Sequence, residues 1–129
     1  MALVSVVIGV ILLEYIVFVM MVGMTRGKTG IQAPAMTGDP KLERMIRVQL
    51  NTLEQMVVVI PAMWLFASYV SEPVAAGLGA LFVLGRALYC QGYLMAAEKR
   101  SLGFGIGGLA TLVLVLGGLY GSVIAALAS

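Results

Sequence analysis

Four long apolar segments alternate with short polar ones, and three of them are long enough to cross a membrane as they stand. The first, residues 2–24, is broken only by Glu14, and the third, residues 73–97, contains Arg86. The fourth, residues 102–128, has no charged residue. Because a membrane-crossing helix needs about 20 residues at a rise of 1.5 Å each, these three segments predict three spanning helices.

The second segment is apolar only over residues 56–70, and its approach, residues 47–54, is polar. It reaches spanning length only if the polar half also lies at membrane depth, where ionisable side chains are costly and usually serve a function. Asp39 and Pro40 provide a cap and a first-turn proline at its start. We therefore predict helices at about residues 2–24, 40–70, 73–98 and 102–128.

The composition supports an integral membrane protein. The chain is 61% hydrophobic and 11% charged, and a soluble chain of 129 residues could not bury so much apolar surface. We predict one all-α domain, residues 1–129, folded as a four-transmembrane-helix bundle. With no histidine and only Cys90, histidine triads, disulfides and cysteine metal clusters are excluded, and no metal site is expected. A cleaved signal peptide at residues 2–24 is disfavoured because a basic leading region is missing.

The positive charges predict an orientation. All eight Lys and Arg residues lie either at positions 26–47 or at positions 86–100. By the positive-inside rule, the connections between helices one and two and between helices three and four face the cytoplasm. The short chain favours a bacterial inner membrane.

Polar residues of the second and third helices form one stripe on each helix. At about 100° per residue, the members of each stripe lie within about 60° of its first residue. The stripe of the second helix consists of Arg47, Asn51 and Glu54. The stripe of the third helix consists of Arg86, Tyr89, Tyr93 and, just beyond the apolar segment, Arg100.

These stripes lie on neighbouring helices, so they can face one cavity. Arginines would bind carboxylates, and Glu54 could bind an ammonium group, which together suit a small, charged ligand that enters from the cytoplasm. Alternatively, the charged groups pair with one another to join the helices, as Glu43 with Arg47 and Glu54 with Arg86. The excess of positive charge favours a ligand site, and the residues alone indicate an anionic small molecule.

The two stripes lie within recognisable motifs. The pattern E-R-x-x-R-x-Q-x-N-x-x-E from Glu43 to Glu54 resembles the signature of the MAPEG family, the membrane-associated proteins of eicosanoid and glutathione metabolism. The pattern R-x-x-Y-x-Q-G-Y from Arg86 to Tyr93, with Arg100 seven residues further on, resembles the third-helix motif of its leukotriene-C synthase and microsomal glutathione transferase members. The likeness covers essentially the whole chain.

The resemblance implies a homotrimer that binds glutathione, its co-substrate, between neighbouring subunits. Arg100 matches the arginine that stabilises the glutathione thiolate in the family, and Arg26 and Gln49 would come from the next subunit. Where the leukotriene-C synthase pattern has a tyrosine after the Glu, this chain has Gln55. The residues expected to bind glutathione, including Arg86 of the third-helix stripe, are Arg26, Arg47, Gln49, Asn51, Glu54, Arg86, Tyr89 and Tyr93.

The implied activity is that of a membrane-bound, detoxifying glutathione transferase. It would use the thiolate to attack a hydrophobic electrophile, or to reduce a lipid hydroperoxide as a peroxidase. Its expected partners are these substrates and membrane lipid, and no nucleic acid. One alternative is a non-catalytic, lipid-binding member of the family, although such relatives would lack the arginine at Arg100. Another is a small multidrug transporter, which would use Glu14 of the first helix.

Overall fold

The computed structural model describes residues 1–95 and 100–129, which form four helices. Each helix is long and apolar enough to cross a membrane, so the predicted all-α membrane fold is confirmed. The predicted end of the third helix at residue 98, like Lys99 of the basic cluster, lies outside the described residues. The helices are α1 (Ala2–Thr29), α2 (Pro40–Tyr69), α3 (Glu72–Met95) and α4 (Ser101–Ala128).

Helix α1 continues to Thr29, beyond residue 24, where the apolar segment predicts its end. The hydroxyl of Thr25 donates to the carbonyl of Met21 at 2.8 Å, and that of Thr29 donates to the carbonyl of Thr25 at 2.9 Å. The helix stops at Gly30, whose φ of 75° is the left-handed conformation typical of a helix end. Hydropathy therefore locates the edge of the apolar span, whereas the helix extends past it.

The start of α2 matches the sequence prediction. The Asp39 carboxylate accepts a hydrogen bond from the Leu42 backbone N–H at 3.0 Å, and Pro40 occupies the first helical position. The Glu43 carboxylate accepts from the Gly38 backbone N–H at 3.2 Å. This cap fixes where α2 begins and thereby the position of its polar stripe.

Helices α3 and α4 pack with their backbones in contact. A Cβ atom added to Gly103 would overlap the backbone nitrogen of Tyr89 and lie 2.5 Å from the carbonyl oxygen of Gly85. A Cβ on Gly85 would lie 2.7 Å from the backbone nitrogen of Gly107. Only glycine permits so close an approach, which is typical of small-residue contacts between membrane helices.

The buried apolar residues form two cores stacked along the bundle. The core near the α2–α3 turn includes Ile11 and Phe82, and the core near the other end includes Phe18 and Tyr89. Between them lies a level of the bundle with a fully buried charged side chain, Arg86, which is 1% exposed.

Candidate active site

A cavity of about 740 Å³ opens at the end of the bundle that holds the α1–α2 and α3–α4 connections. Helices α2 and α3 and the start of α4 form its walls. The cavity brings together five residues of the two predicted stripes and two further residues. Its lining consists of Arg47, Asn51, Tyr89, Tyr93, Arg100, Ser101 and Phe104.

The α2 wall offers a cation and a hydrogen-bond acceptor one helical turn apart. Arg47 is exposed, and within residues 1–95 and 100–129 no carboxylate forms an ion pair with it. The side-chain oxygen of Asn51 is buried and has no hydrogen-bond partner in the described part of the chain. Because an unmet buried acceptor costs about 1–3 kcal/mol, this oxygen is well suited to accept from a bound ligand.

The α3 wall is aromatic. The rings of Tyr89 and Tyr93 lie 5.6 Å apart between centroids, and the ring of Phe104 lies 6.2 Å from that of Tyr89. These separations are typical of favourable aromatic pairs. The contacts join α3 to the start of α4 and place two phenol groups on the cavity surface.

Arg100 lies directly before α4. Its guanidinium carbon lies 5.4 Å from the centre of the Tyr93 ring, and the residue is exposed. The cavity therefore carries a positive charge on each side, from Arg47 and Arg100, and this arrangement can bind a ligand with more than one negative group.

Two residues of the stripes lie outside the cavity lining. Glu54 is exposed on α2. Arg86 is buried, and its Nε and Nη2 donate to the Thr52 hydroxyl oxygen at 3.1 and 2.9 Å. Among the described residues, neither the Glu54–Arg86 pair nor the Glu43–Arg47 pair forms, although Arg86 does join α3 to α2 through Thr52.

Gln49 and Arg26 lie on other faces of the protomer. Gln49 is about 200° around α2 from Arg47, and its Nε2 donates to the Tyr15 hydroxyl at 3.2 Å. Arg26 donates to the Ala35 carbonyl at 2.6 Å and lines a smaller cavity of about 390 Å³ with residues 30–33. Their assignment to the site of a neighbouring subunit stays a prediction.

Three residues that matter to the site were not predicted from the sequence. Phe104 follows Arg100 by four residues, a helical spacing that predicts neighbouring side chains. Ser101 is the residue directly after Arg100. Thr52 gave no signal because a threonine in a membrane helix satisfies its own hydroxyl, here by donating to the Val48 carbonyl at 2.7 Å.

The four membrane-length helices, with a cavity of guanidinium, amide and phenol groups at one end, define an integral membrane protein with a polar site beside the bilayer. The model of the MAPEG family matches residues 3–120. The chain therefore belongs to the MAPEG family, as its motifs predicted, and this family is membrane-bound.

Individual relatives agree with this assignment. An uncharacterized protein of Synechocystis sp. is 50% identical over 81% of this chain and 77% of its own length. Microsomal glutathione S-transferase 2 of Homo sapiens is 38% identical over 79% of this chain and 70% of its own length. Leukotriene C4 synthase of Bos taurus is 31% identical over 72% of this chain and 61% of its own length.

Proposed function

We propose that this protein is a membrane-bound glutathione transferase that binds glutathione in the cavity between Arg47 and Arg100. The observation that carries the proposal is the meeting of both polar stripes around one cavity in a chain of the MAPEG family. The relatives named as glutathione S-transferase and leukotriene C4 synthase support the same chemistry.

The chemistry of the cavity fits the groups of glutathione. The tripeptide carries two carboxylates, an ammonium group and a thiol. Arg47 can bind one carboxylate, and the unpartnered Asn51 oxygen can accept from an N–H of the ligand. Tyr89 and Tyr93 can donate their hydroxyls or pack against its apolar parts. Arg100, opposite Arg47, is the group we assign to the sulfur.

Arg100 would act on the ionisation of the thiol. A free thiol has a pKa of about 8.5, and the thiolate is the nucleophile. A guanidinium beside the sulfur favours the thiolate and lowers the pKa of the bound thiol. The sulfur then forms a bond to the electrophilic carbon while the leaving group departs with its electron pair. With a lipid hydroperoxide, the sulfur would attack the terminal oxygen while the O–O bond breaks and releases the alkoxide, which is protonated to the alcohol. A second glutathione would then reduce the sulfenic acid so formed, giving glutathione disulfide and water.

The cavity is only partly enclosed by the protomer, and we propose that a neighbouring subunit of a homotrimer completes it with Arg26 and Gln49. Both side chains lie on faces of the protomer away from the cavity, as a contribution to a neighbour's site requires. We also propose that the cavity faces the cytoplasm of a bacterial inner membrane, because basic residues flank this end of the bundle.

Arg100 favours a catalytic role over lipid binding without catalysis. A protein that only bound lipid would need no cation where the thiol is expected, whereas Arg100 is part of the cavity lining. Turnover of a chlorodinitrobenzene with glutathione distinguishes the two roles, since only the catalytic protein forms the conjugate.

The proposal is tested by adding glutathione to detergent-solubilised protein and recording the ultraviolet absorbance of the thiolate. The wild-type protein should bind glutathione and show this absorbance, and Arg100→Ala should lose it. Lys41→Ala removes an exposed cation outside the cavity lining and should behave as wild type. A wild-type protein that binds no glutathione would refute the proposal.

A further inference from the structure

A polar level crosses the bundle between its two apolar cores. Along α1, Glu14 lies between Ile11 of one core and Phe18 of the other. On α2 and α3, Thr52 and Arg86 occupy the corresponding interval and are joined by hydrogen bonds. Polar side chains at this depth are costly unless they are paired, so each one needs a partner.

Among the described residues, no hydrogen-bond partner of Arg86 carries a negative charge. Both donating nitrogens, Nε and Nη2, bind one neutral oxygen, the Thr52 hydroxyl. The side chain is 1% exposed, so water in the surrounding medium does not offset its charge. A buried guanidinium in this situation needs a carboxylate nearby, because an uncompensated buried charge destabilises a fold strongly.

Glu14 is placed to supply that charge. Tyr15, the next residue, accepts a hydrogen bond from Gln49, about one turn before Thr52 on α2, so Glu14 lies at the level of Arg86. In the described part of the chain no ion pair or hydrogen bond joins the two side chains, so the pairing inferred here is one of charge across the bundle interior. The Oε1 atom of Glu14 is buried and has no hydrogen-bond partner within residues 1–95 and 100–129.

The other described carboxylates are elsewhere. Asp39 and Glu43 cap the start of α2, and Glu72 is in the first turn of α3, where it pairs with the amino terminus. Glu54 is exposed. Among the carboxylates in the described part of the chain, Glu14 is therefore the one that can balance the positive charge of Arg86 inside the bundle.

Arg86 connects this level to the cavity. Its guanidinium carbon lies 4.1 Å from the centre of the Tyr89 ring, a cation–π contact one helical turn along α3. Tyr89 is 3% exposed and forms part of the cavity lining. A change in the position of the guanidinium is thus transmitted to a ring on the cavity wall.

We propose that Glu14 is the counter-ion of Arg86 and, through it, a positioning residue for Tyr89 and for ligand binding in the cavity. As far as the ligand is glutathione, this inference rests on the proposed function. Without the Glu14 charge, Arg86 turns towards other acceptors and leaves the Tyr89 ring. Glu14 itself does not touch the ligand, because it is not part of the cavity lining.

The first test compares Glu14→Gln with Glu72→Gln, a matched change at the opposite end of the bundle. In detergent-solubilised protein with ¹³C-labelled tyrosine, the Tyr89 ring resonance is assigned by its loss in Tyr89→Phe. The resonance should shift in Glu14→Gln and stay in place in Glu72→Gln. Because no glutathione is present, this result does not depend on the proposed function.

The second test measures kinetics. Glu14→Gln should raise the KM for glutathione by about five- to tenfold while kcat stays within about twofold, the pattern of weakened binding without loss of a transition-state contact. Glu72→Gln should change neither. A wild-type protein that binds no glutathione would refute the proposed function, and the Tyr89 resonance would still decide the role of Glu14.

A double variant tests the pairing itself. The KM of Glu14→Gln/Arg86→Gln should be no higher than that of Arg86→Gln alone, because both changes break the same link. If Arg86→Gln alone does not accumulate in the membrane, the double variant should accumulate better, since it leaves no unpaired buried charge. A Tyr89 resonance unmoved in Glu14→Gln, or effects of the two changes that add, would overturn the inference.

Discussion

The guanidinium carbon of Arg100 lies 5.4 Å from the centre of the Tyr93 ring, so a cation before α4 rests against a phenol of α3. The contact spans the connection between these two helices. An attraction of about 0.5–1 kcal/mol at an exposed site favours a position of the charge beside the cavity. The proposed roles of Arg100 and of the residues around it lead to five predictions.

Arg100→Ala should shift the pH dependence of kcat upwards. A neighbouring cation lowers the pKa of a bound thiol, so activity that needs the thiolate is retained to lower pH with Arg100 than without it. Removal of the cation should move the profile by about 1–2 pH units towards the free thiol value of about 8.5. Arg100→Lys should move it less, and superimposable profiles of wild type and Arg100→Ala would contradict the role.

Asn51→Leu should weaken glutathione binding without weakening the fold. The change removes a buried oxygen that lacks a partner in the described protein, so the melting temperature should stay the same or rise. The lost hydrogen bond to the ligand should raise the Kd for glutathione about tenfold, which corresponds to about 1.4 kcal/mol. Isothermal titration and thermal unfolding measure the two effects. Gln91→Leu, an exposed amide outside the lining, should leave the Kd unchanged.

Gly103→Ala should force α3 and α4 apart. The added Cβ would overlap the Tyr89 backbone, which cannot yield as a side chain could, and overpacking of this kind costs about 1–3 kcal/mol or more. We expect a lower melting temperature in detergent and weaker glutathione binding. Gly105→Ala is the matched control, because a Cβ there meets nothing within 4 Å, and equal effects of the two changes would contradict the packing argument.

Subunit mixing tests whether Arg26 serves a neighbouring site. Arg100→Ala and Arg26→Ala should each reduce activity, and co-expression of the two variants should restore part of it. In randomly mixed trimers, about a quarter of the interfaces would combine an intact Arg100 with an intact Arg26 from the next subunit. Arg100→Ala mixed with Asn51→Leu should not recover, because one protomer contributes both residues to the same cavity. Recovery in neither mixture would contradict a site shared between subunits.

Cysteine labelling tests the orientation. The variants Thr37→Cys and Ser71→Cys lie in connections at opposite ends of the bundle, and the native Cys90 is buried and can be replaced by alanine. In intact bacterial cells, a membrane-impermeant maleimide should label Ser71→Cys, and Thr37→Cys only after the membrane is opened. The reverse pattern would place the cavity on the outer side.

The sequence predicted the four helices because apolar length is a strong local signal, and it predicted the Asp39 cap because capping is local too. It did not predict the separation of Arg86 from Tyr89. These residues lie within about 60° on one helix, yet Arg86 enters the bundle core and Tyr89 reaches the cavity. Which side of a stripe meets a neighbour depends on the rotation of α3 against α4, and contacts such as Gly85 with Gly107 fix that rotation.

In the proposed reaction, the contact between α3 and α4 would also close one route by which a lipid-dissolved substrate could reach the sulfur. At Gly85 and Gly103 the α3–α4 contact has no space for a methyl group, so a bulky apolar molecule cannot pass between the two helices there. Phe104 is 46% exposed on α4 and is part of the cavity lining. If the cavity binds the thiol as proposed, an electrophile from the bilayer would need another route than the seam between α3 and α4, and Phe104 is an apolar group of the lining that it could contact.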